Sequence, residues 1–543
     1  MCATLQHSRL GQLNGIAVDG TVQFRGLKYA SLENRLAPPQ LFTSYGKSTD
    51  ATKFGPPPVS PLGAINNEFG FIQHTLPMPD VPVHSDIEGL NLNITVPIPN
   101  SGAIDSSAKL PVYVFIHGGG FAVGSSWYPH YDPTRLVKIS VEKGQPIIGV
   151  TINYRLGVTG FMTSEELRKA GYKSNNGFHD QRTALKWIKN FIGGFGGDSE
   201  EVTVCGESAG GLSATVLLQS KEPLMKRCLS TGGAVLLFKP IPLDVAEAGY
   251  KTIIETFGLA DKSPEERIKA LVNLPMDDLW QKVPRTVPLL PTADGETVIG
   301  EPSFVTVASE KDDPAFPIPG RKWCASLMIG ESQLDSNILA YMGLDARNPG
   351  IAAKFVESVS KTLSSHPNAI SKLLSSYNIS ESTNDDQAIL SVLKFATDIS
   401  FYAPARAFAK GWPKTKENKI FLYHFNEGIP WEGRFKGEAG HILDVAYLFQ
   451  NFNDFLNDEQ RAVARAYAED FIEFVNGGDP WPPVEGGNLG ARVYGPSGGG
   501  VTAEYVASGN PEEIGRRTHV LELGEMVGFD AILDVFQNFF QGR

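Results

Sequence analysis

Apolar runs of strand length recur through the first half of the chain, separated by polar turns and helical patterns. Residues 111–116, 146–153 and 202–205 are three such runs and are typical of buried strands. Apolar residues recur at helical spacing over 180–192, and a further helical run over 212–219 follows the third strand. Strands alternating with helices predict an α/β protein with a mostly parallel central sheet and helices on both faces.

The second half continues this pattern less regularly. Residues 323–329 and 420–425 are further strand candidates, and 458–475 has the periodicity of an acidic amphipathic helix. No internal repeat, low-complexity tract or long charge run divides the chain. The pattern therefore favours one α/β domain over residues 1–543.

Two stretches break the alternation of strands and helices. Residues 54–82 contain seven prolines, and proline lacks an N–H group and fixes φ, so one long helix or a central strand is excluded there. This stretch is predicted to be a long loop, and long loops in compact domains are usually functional. A second loop, rich in glycine and proline, is predicted over residues 477–500.

Composition and charge exclude several classes of protein. Hydrophobic residues make up 42% of the 543 residues and charged residues 20%, which is typical of a globular protein and not of a disordered chain or a coiled coil. The net charge is −12, from 48 basic and 60 acidic residues. Because nucleic-acid phosphates are repelled by such a balance and no Lys/Arg run offsets it, nucleic acid is not an expected partner.

The four cysteines, Cys2, Cys205, Cys228 and Cys324, have no metal-ligand spacing and are too few for a disulfide scaffold. No apolar run reaches the ~18 residues that a membrane helix needs. The first residues show no signal-peptide pattern, with no apolar segment after the initial methionine. We therefore expect a cytoplasmic protein without a membrane span.

The most specific motif is Gly206-Glu207-Ser208-Ala209-Gly210, which directly follows a predicted strand and opens a predicted helix. A Gly-x-Ser-x-Gly sequence in this position forms a tight strand-to-helix turn that exposes the serine hydroxyl above the sheet. The glycines allow the close approach of strand and helix. Ser208 is therefore predicted to be a nucleophile, and the amide of Ala209 lies at the helix start beside it.

A run of three glycines, in His117-Gly118-Gly119-Gly120-Phe121, follows another predicted strand. Such a run directs backbone N–H groups into a cavity, where they stabilise negative charge that develops on a carbonyl oxygen. The amides of Gly119, Gly120 and Ala209 are therefore predicted to form an oxyanion hole. Aromatic residues follow this run, which favours a substrate with an apolar or aromatic group; they are Phe121, Trp127, Tyr128 and Tyr131.

Together with further blocks in the same order, these motifs resemble the type-B carboxylesterase/lipase family, the cholinesterase-like branch of the α/β hydrolases. The blocks extend over most of the chain and include 24–30, 90–93, 153–157, 176–181 and 195–198. The resemblance implies the α/β-hydrolase fold, with large helical and loop insertions forming an active-site cap. It places an entrance loop at about 54–82 and helical insertions within about 240–420, and it implies a small-molecule ester substrate and no cofactor.

The resemblance also implies the chain order Ser, then Asp or Glu, then His. The family acid lies five residues past a strand-ending glycine, which here is Gly330, so Asp335 is the predicted acid. The family usually has Glu followed by Gly at this place, whereas this chain has Asp335 followed by Ser336. Glu331 is the rival, but it directly adjoins the strand end.

His441 is the predicted base, in the block Gly440-His441-Ile442-Leu443-Asp444 that resembles the family's histidine block. It follows a predicted strand through a glycine-rich loop. His424 lies inside that strand and is predicted to be a sheet residue, and His117 a structural hydrogen-bonding residue. The remaining histidines lie outside any block that resembles the family.

The chain departs from the family pattern in two places. Gly89 stands where the family usually has a cysteine, so the loop over 54–82 is predicted to be held by packing and not by a disulfide. The acidic partner of Arg155 is also displaced, and Asp86 and Glu88 are both candidates.

Three functions are consistent with the sequence. The first is a serine ester hydrolase in which Ser208 attacks, His441 serves as base and acid, and Asp335 orients it. The second is acyl transfer, or lactone or thioester chemistry, with the same residues. The third is a binding protein on an inactive hydrolase fold, which the presence of Ser208 and His441 disfavours. The sequence gives no indication of the oligomeric state.

Overall fold

A large sheet forms the centre of the computed structural model, which describes residues 2–98, 104–485, 487–507 and 517–542. Within these residues, thirteen of fifteen strands belong to that sheet and β4 and β5 form a separate pair. The strands are β1 Cys2–His7, β2 Gly11–Val18, β3 Thr21–Lys28, β4 Ala30–Ser31, β5 Gln40–Leu41, β6 Ser48–Asp50, β7 Asn91–Pro97, β8 Leu110–Ile116, β9 Ile148–Ile152, β10 Gly197–Glu207, β11 Arg227–Thr231, β12 Ser326–Ser332, β13 Lys419–Phe425, β14 Ala491–Tyr494 and β15 Ala503–Val506.

The strand order is β1-β2-β3-β7-β9-β8-β10-β11-β12-β13-β14-β15, with β6 paired to β2. Seven neighbouring strands of this order, β9, β8, β10, β11, β12, β13 and β14, run parallel to one another. Antiparallel strands extend the sheet on both sides. Every residue of β9 is buried, in agreement with its largely apolar sequence. Every residue of β11 is buried as well, although its sequence, Arg-Cys-Leu-Ser-Thr, is mixed and was not predicted to be a strand. The predicted mostly parallel sheet is therefore confirmed.

Helices connect the strands and fill the long insertions. They are α1 Ile65–Ile72, α2 Thr134–Glu142, α3 Gly157–Phe161, α4 Glu165–Lys169, α5 Asn176–Phe191, α6 Ala209–Leu217, α7 Leu243–Thr256, α8 Pro264–Asn273, α9 Asp278–Gln281, α10 Phe304–Ala308, α11 Gly320–Trp323, α12 Ile351–Thr362, α13 Pro367–Ser376, α14 Asp385–Thr397, α15 Ala403–Gly411, α16 Leu443–Leu448, α17 Asp458–Val475, α18 Thr518–Val527 and α19 Phe529–Gln541. A π-helical turn, Asp398–Tyr402, joins α14 to α15. None of the helices in the described ranges is long and apolar enough to cross a bilayer.

Helices α6 and α17 pack on the central parallel strands β8 and β10. Tyr113 of β8 meets Phe471 of α17 with ring centroids 5.4 Å apart, an edge-to-face arrangement that adds to the burial of both rings. Helices α7 to α15 fall between residues 243 and 411, the region for which helical insertions were predicted, and β12 is the only strand among them in the described chain. The loops at the carboxyl ends of the strands, which contain the predicted site residues, are therefore positioned by buried strands.

The structure corrects two loop predictions. The entrance segment, residues 54–82, contains helix α1, whose buried residues Ile65, Phe69 and Ile72 recur at helical spacing between the two proline groups. The loop predicted over 477–500 contains strand β14, which pairs with β13. In both cases the prolines flank a short element and do not occupy its interior.

Candidate active site

Ser208 occupies a sharp turn between β10, which ends at Glu207, and α6, which begins at Ala209. Its backbone has φ 54° and ψ −120°, a conformation that a residue with a side chain rarely adopts. The flanking glycines are required by contact, because a Cβ at Gly206 would lie 1.9 Å from the Gly210 oxygen. A Cβ at Gly210 would lie 2.0 Å from the Ile116 oxygen of β8. The local sequence thus produces the strained turn that the motif predicts.

His441 and Asp335 meet in the structure although 106 residues separate them in the sequence. Nδ1 of His441 lies 2.6 Å from Oδ1 of Asp335, and both side chains are buried. The other carboxylate oxygen of Asp335 accepts a hydrogen bond of 2.7 Å from the Ser332 amide. This arrangement fixes the imidazole orientation and leaves Nε2 on the opposite side of the ring.

The loops that carry these two side chains are joined to each other. The Leu334 amide donates to the Ala439 oxygen at 2.8 Å, and the His441 amide donates to Oδ1 of Asn337 at 2.8 Å. Both loops follow neighbouring parallel strands, β12 and β13, so their carboxyl ends emerge at one edge of the sheet. The histidine is therefore positioned by backbone contacts as well as by Asp335.

Glu331, the rival acid, has different partners. Its Oε1 lies 2.8 Å from Nδ1 of His424 and 2.7 Å from Nη2 of Arg517. Glu331 still belongs to β12, where the strand pleat directs its side chain, and its register partner on β13 is His424. Of the two candidate carboxylates, the structure places Asp335 against His441 and Glu331 in a separate buried ion-pair cluster.

His441 lies beside the turn that carries the serine. Its Nε2 is 3.2 Å from Oε1 of Glu207, the residue before Ser208. Gly232 fits between the loops, since a Cβ there would be 3.2 Å from Oδ1 of Asp335 and 3.3 Å from Cε1 of His441. Within the described residues no hydrogen bond joins the Ser208 hydroxyl to His441, and bonds of this kind are often long before substrate binds.

Burial and neighbouring charges shift the pKa values of this cluster. Burial raises the pKa of Glu207 to about 8. For His441, burial disfavours the imidazolium, but the hydrogen bond with Asp335 and the charge of Glu207 outweigh it and raise the pKa to about 9. Burial also raises the pKa of Asp444, three residues after His441, to about 6. Perturbed titrating groups concentrated in one place are typical of a catalytic site.

Three backbone amides, in the loop after β8 and at the start of α6, have no acceptor among the described residues: those of Gly119, Gly120 and Ala209. Gly119 and Gly120 have φ values of 95° and 60°, which favour glycine. Gly118 packs on the serine, since a Cβ there would be 2.8 Å from Cβ of Ser208. Unused donors of this kind are a feature that an oxyanion hole requires.

Three contributions to the site were missed by the sequence reasoning. Glu207 was named only as a member of the serine motif. Its position at the strand end, directly before Ser208, was the signal that it belongs to the site. Asn337, which holds the His441 amide, shows no signal in the sequence. Phe401, in the π-helical turn, contacts the His441 ring edge-to-face at 5.8 Å between centroids, and π turns often occur at functional sites.

The aromatic residues after the glycine run belong mostly to the core. Phe121 packs on Phe161 and Phe178, and Tyr131 packs on Phe115, all in buried positions. They therefore do not support the apolar-substrate prediction that was drawn from them. His117 has the structural role predicted for it, with Nδ1 3.0 Å from the Gly118 oxygen and its ring stacked on Tyr154.

The partner of Arg155 is Asp180 on α5, and neither of the two predicted residues. The guanidinium donates to both carboxylate oxygens of Asp180, at 2.8 and 2.7 Å, and both side chains are buried. Asp86 pairs with Arg35 and Glu88 with Lys28. The prediction was wrong because α5 packs against the loop that follows β9 and carries Arg155. This contact cannot be read from the positions of the two segments in the sequence.

Comparison with known proteins identifies the family. A model of the carboxylesterase family matches residues 3–494. The chain belongs to the carboxylesterase family. The predicted resemblance is thereby confirmed, and the protein is placed among the enzymes that hydrolyse ester bonds.

Its relatives in this family include lipases and esterases. Lipase 4 of Diutina rugosa is 28% identical over 488 residues, which is 81% of this chain and 78% of the relative. The para-nitrobenzyl esterase of Bacillus subtilis is 25% identical over 504 residues, 88% of this chain and 91% of the relative. Juvenile hormone esterase of Heliothis virescens is 28% identical over 408 residues, 71% of this chain and 68% of that protein.

Solved structures show the fold of this carboxylesterase-family chain. A PNB esterase structure superposes with a TM-score of 0.72 at 23% identity and covers 95% of this chain and 99% of its own. The juvenile hormone esterase of Manduca sexta gives 0.71 at 21% identity, with 97% and 100% covered. The predicted α/β-hydrolase fold is therefore confirmed.

Proposed function

We propose that the protein hydrolyses small carboxylic esters with Ser208 as nucleophile, His441 as general base and acid, and Asp335 as the residue that orients the imidazole. One observation carries the proposal: the buried 2.6 Å contact between Asp335 and His441 lies beside a strained serine turn. A serine at such a turn is exposed to a substrate carbonyl, and an imidazole held by a carboxylate can accept its proton.

In the first half of the reaction, Nε2 of His441 accepts the Ser208 hydroxyl proton as the oxygen attacks the ester carbonyl. The amides of Gly119, Gly120 and Ala209 hold the resulting oxyanion, and each such donor is typically worth about 3–4 kcal/mol to the transition state. His441 then gives its proton to the leaving alcohol, which produces an acyl-enzyme. Asp335 stabilises the imidazolium throughout and is not itself protonated.

In the second half, His441 accepts a proton from water as the water attacks the acyl-enzyme, and returns it to Ser208 as the acid leaves. No external cofactor is required, because every proton and electron pair moves between substrate, water and the three side chains. Phe401 places an aromatic edge beside the imidazole, which favours an apolar or aromatic group on the ester.

The test is an ester panel varying acyl length and leaving group, assayed with the wild type and Ser208→Ala. The substitution is expected to lower turnover about 10⁴-fold or more while substrate still binds. Ser220→Ala, just beyond α6, is the control and should keep wild-type turnover. An organophosphonate should label Ser208, and labelling of any other residue would contradict the assignment.

We also propose a cytoplasmic location. The support is that Cys205, Cys228 and Cys324 are free and buried, and reduced thiols are typical of reducing compartments. The side chain of Cys2 lies outside the described residues. Fluorescent tagging at the carboxyl end, followed by cell fractionation, tests the proposal, and recovery from the culture medium would overturn it.

A further inference from the structure

A cavity of about 290 Å³ lies under the entrance segment, apart from the proposed catalytic residues. Its volume is close to the lower end of the ~300–1,000 Å³ usual for small-molecule pockets. Ser208, His441 and Asp335 do not line it. Its lining includes three parts of the chain. Phe54 and Met78 belong to the entrance segment, Gln23 and Arg25 to strand β3, and Trp127 follows the glycine run.

Arg25 is held rigidly at this cavity. Its Nε and Nη2 donate to Oε1 of Gln23 at 2.8 and 2.6 Å. Its guanidinium carbon lies 4.3 Å from the centroid of the Phe54 ring, in a cation–π arrangement. A guanidinium fixed by stacking and by hydrogen bonds loses little conformational freedom when it binds a ligand, so the site is organised before the ligand arrives.

A β-bulge accounts for the position of Arg25. The register of β3 against β7 shifts between Phe24 and Leu27, and the amide of Arg25 donates to the Ala51 oxygen at 2.7 Å. Gly26 has φ 65°, and a Cβ there would lie 2.6 Å from the Gly55 amide nitrogen. Bulges commonly redirect a side chain next to a functional site, and this one takes Arg25 out of the regular ladder.

Two nitrogen donors at the cavity have no acceptor among the described residues. In the described part of the chain, Nη1 of Arg25 has no acceptor and no carboxylate lies within 4 Å of the guanidinium. Nε1 of Trp127 is buried without a partner. Asp132 also lines the cavity: its Oδ1 accepts from Nε2 of Gln23 at 2.8 Å and from the amide and hydroxyl of Thr134 at 2.9 and 2.6 Å. Its negative charge acts on the Arg25 guanidinium, so the cavity holds one charged group of each sign.

We propose that this cavity is a second binding site, for a small amphipathic carboxylate. The carboxylate binds the free edge of the Arg25 guanidinium, whose fork matches two carboxylate oxygens, and the apolar part packs on Phe54, Met78 and Trp127. A neighbouring cavity of about 180 Å³ shares Met78 and Trp127 and gives the apolar part further room.

The chemistry of the ligand agrees with the reaction of the family. Ester hydrolysis releases a carboxylic acid, so a ligand of this class is present wherever the enzyme turns over. The choice of the acid rests on the proposed function, whereas the binding itself does not. Because Phe54 and Met78 belong to the entrance segment, an occupied cavity joins that segment to β3 more tightly.

The test is calorimetric titration of the Ser208→Ala protein with hexanoate and with phenylacetate. Arg25→Gln in that background should weaken binding at this site at least tenfold, because a charged hydrogen bond is lost. Arg9→Gln is the matched control, since Arg9 also stacks on a phenylalanine ring, Phe191, at 4.5 Å but outside the cavity. Hexanol, of equal chain length without the charge, should bind much more weakly than hexanoate.

A second variant covers the case in which Arg25→Gln does not fold. Met78→Trp fills the cavity from the entrance segment without changing Arg25, and should abolish the same binding event. Unchanged hexanoate affinity in a folded Arg25→Gln or Met78→Trp protein overturns the proposal, as does equal affinity for hexanol. Loss of turnover in Ser208→Ala bears only on the proposed function, so the two proposals fail separately.

Discussion

At the scale of single residues, the candidate site depends on which of two carboxylates contacts the histidine. Glu331 and Asp335 are four positions apart, but the strand pleat directs Glu331 to His424 and Arg517, whereas Asp335 follows the strand end and turns back to His441. Because Glu331 lies inside the strand, its side chain points toward His424 and cannot also point toward His441. The geometry therefore assigns the two acids different partners.

Asp335→Asn is expected to keep the fold and to lower turnover on the order of 10⁴-fold, because the amide leaves the imidazole in the wrong tautomer. Steady-state kinetics with the preferred ester of the panel measure the effect. Glu331→Gln is the matched comparison: it should lower the melting temperature by leaving the buried Arg517 poorly paired, with a much smaller loss of turnover. The reverse ranking of the two variants would assign the orienting role to Glu331.

The pH dependence of turnover should show the influence of Glu207. His441 must be neutral to accept a proton, so kcat/KM should rise with pH through the raised pKa of His441. Glu207→Gln removes a neighbouring carboxylate, which lowers the pKa of His441 and moves this acidic limb to lower pH. The measurement is a pH profile of kcat/KM for the wild type and for Glu207→Gln. An acidic limb that stays at the same pH, or moves to higher pH, in the variant would contradict this prediction.

At the scale of elements, the loop after β8 and the start of α6 supply the unused amides. Their geometry depends on glycine in different ways. At Gly119, with φ 95°, a Cβ would lie 2.2 Å from the Val123 oxygen, whereas at Gly120, with φ 60°, it would meet no atom within 4 Å. The two glycines are therefore predicted to respond differently to the same substitution.

Gly119→Ala should lower both turnover and melting temperature, since the contact is with backbone that cannot move aside. Gly120→Ala should cost only about 1–2 kcal/mol in unfolding free energy, from its left-handed backbone, and should retain more activity. A β-branched residue at Gly120 would cost more stability than an alanine, because its backbone strain is larger. Thermal melting and kinetics of the alanine pair test this, and equal effects at both positions would contradict it.

At the scale of the whole molecule, the entrance segment is attached without a cysteine at position 89. Glu68 of α1 forms a buried contact of 2.6 Å with His130, next to the glycine-run loop. The Tyr341 hydroxyl donates to the Gly70 oxygen and the Phe435 amide donates to Oε1 of Gln73, both near the carboxyl end of α1. The segment is thus held by packing together with a buried polar pair, more than the packing alone that the sequence predicted.

Intact-mass measurement with and without reductant should show no bridge among Cys205, Cys228 and Cys324, which are free and buried. Burial raises the pKa of each of these thiols, so they should also react slowly with alkylating reagents in the native protein and quickly after denaturation. A mass two units lower before reduction, mapped to any pair of these cysteines, would contradict the prediction and the cytoplasmic proposal together.

The sequence by itself determined several of the central strands and helices and the residues with the most specific local signals. Apolar runs marked the buried strands β8, β9 and β10 because both faces of a parallel sheet are covered, but not β11, whose buried sequence Arg-Cys-Leu-Ser-Thr is mixed. The Gly-x-Ser-x-Gly turn follows from contacts within a few residues. Helix α17 has the predicted bounds, Asp458–Val475, because its periodicity is a local property.

Only the tertiary structure decided the contacts between distant segments. The pairing of His441 with Asp335, of Arg155 with Asp180 and of Glu207 with His441 depends on how β12, β13 and α5 pack, which no local pattern encodes. The Arg25 cavity likewise arises from a bulge in β3 beneath a segment that the sequence described only as a loop. Packing between segments that are distant in the sequence brings such groups together, and these contacts cannot be inferred from the spacing of residues along the chain.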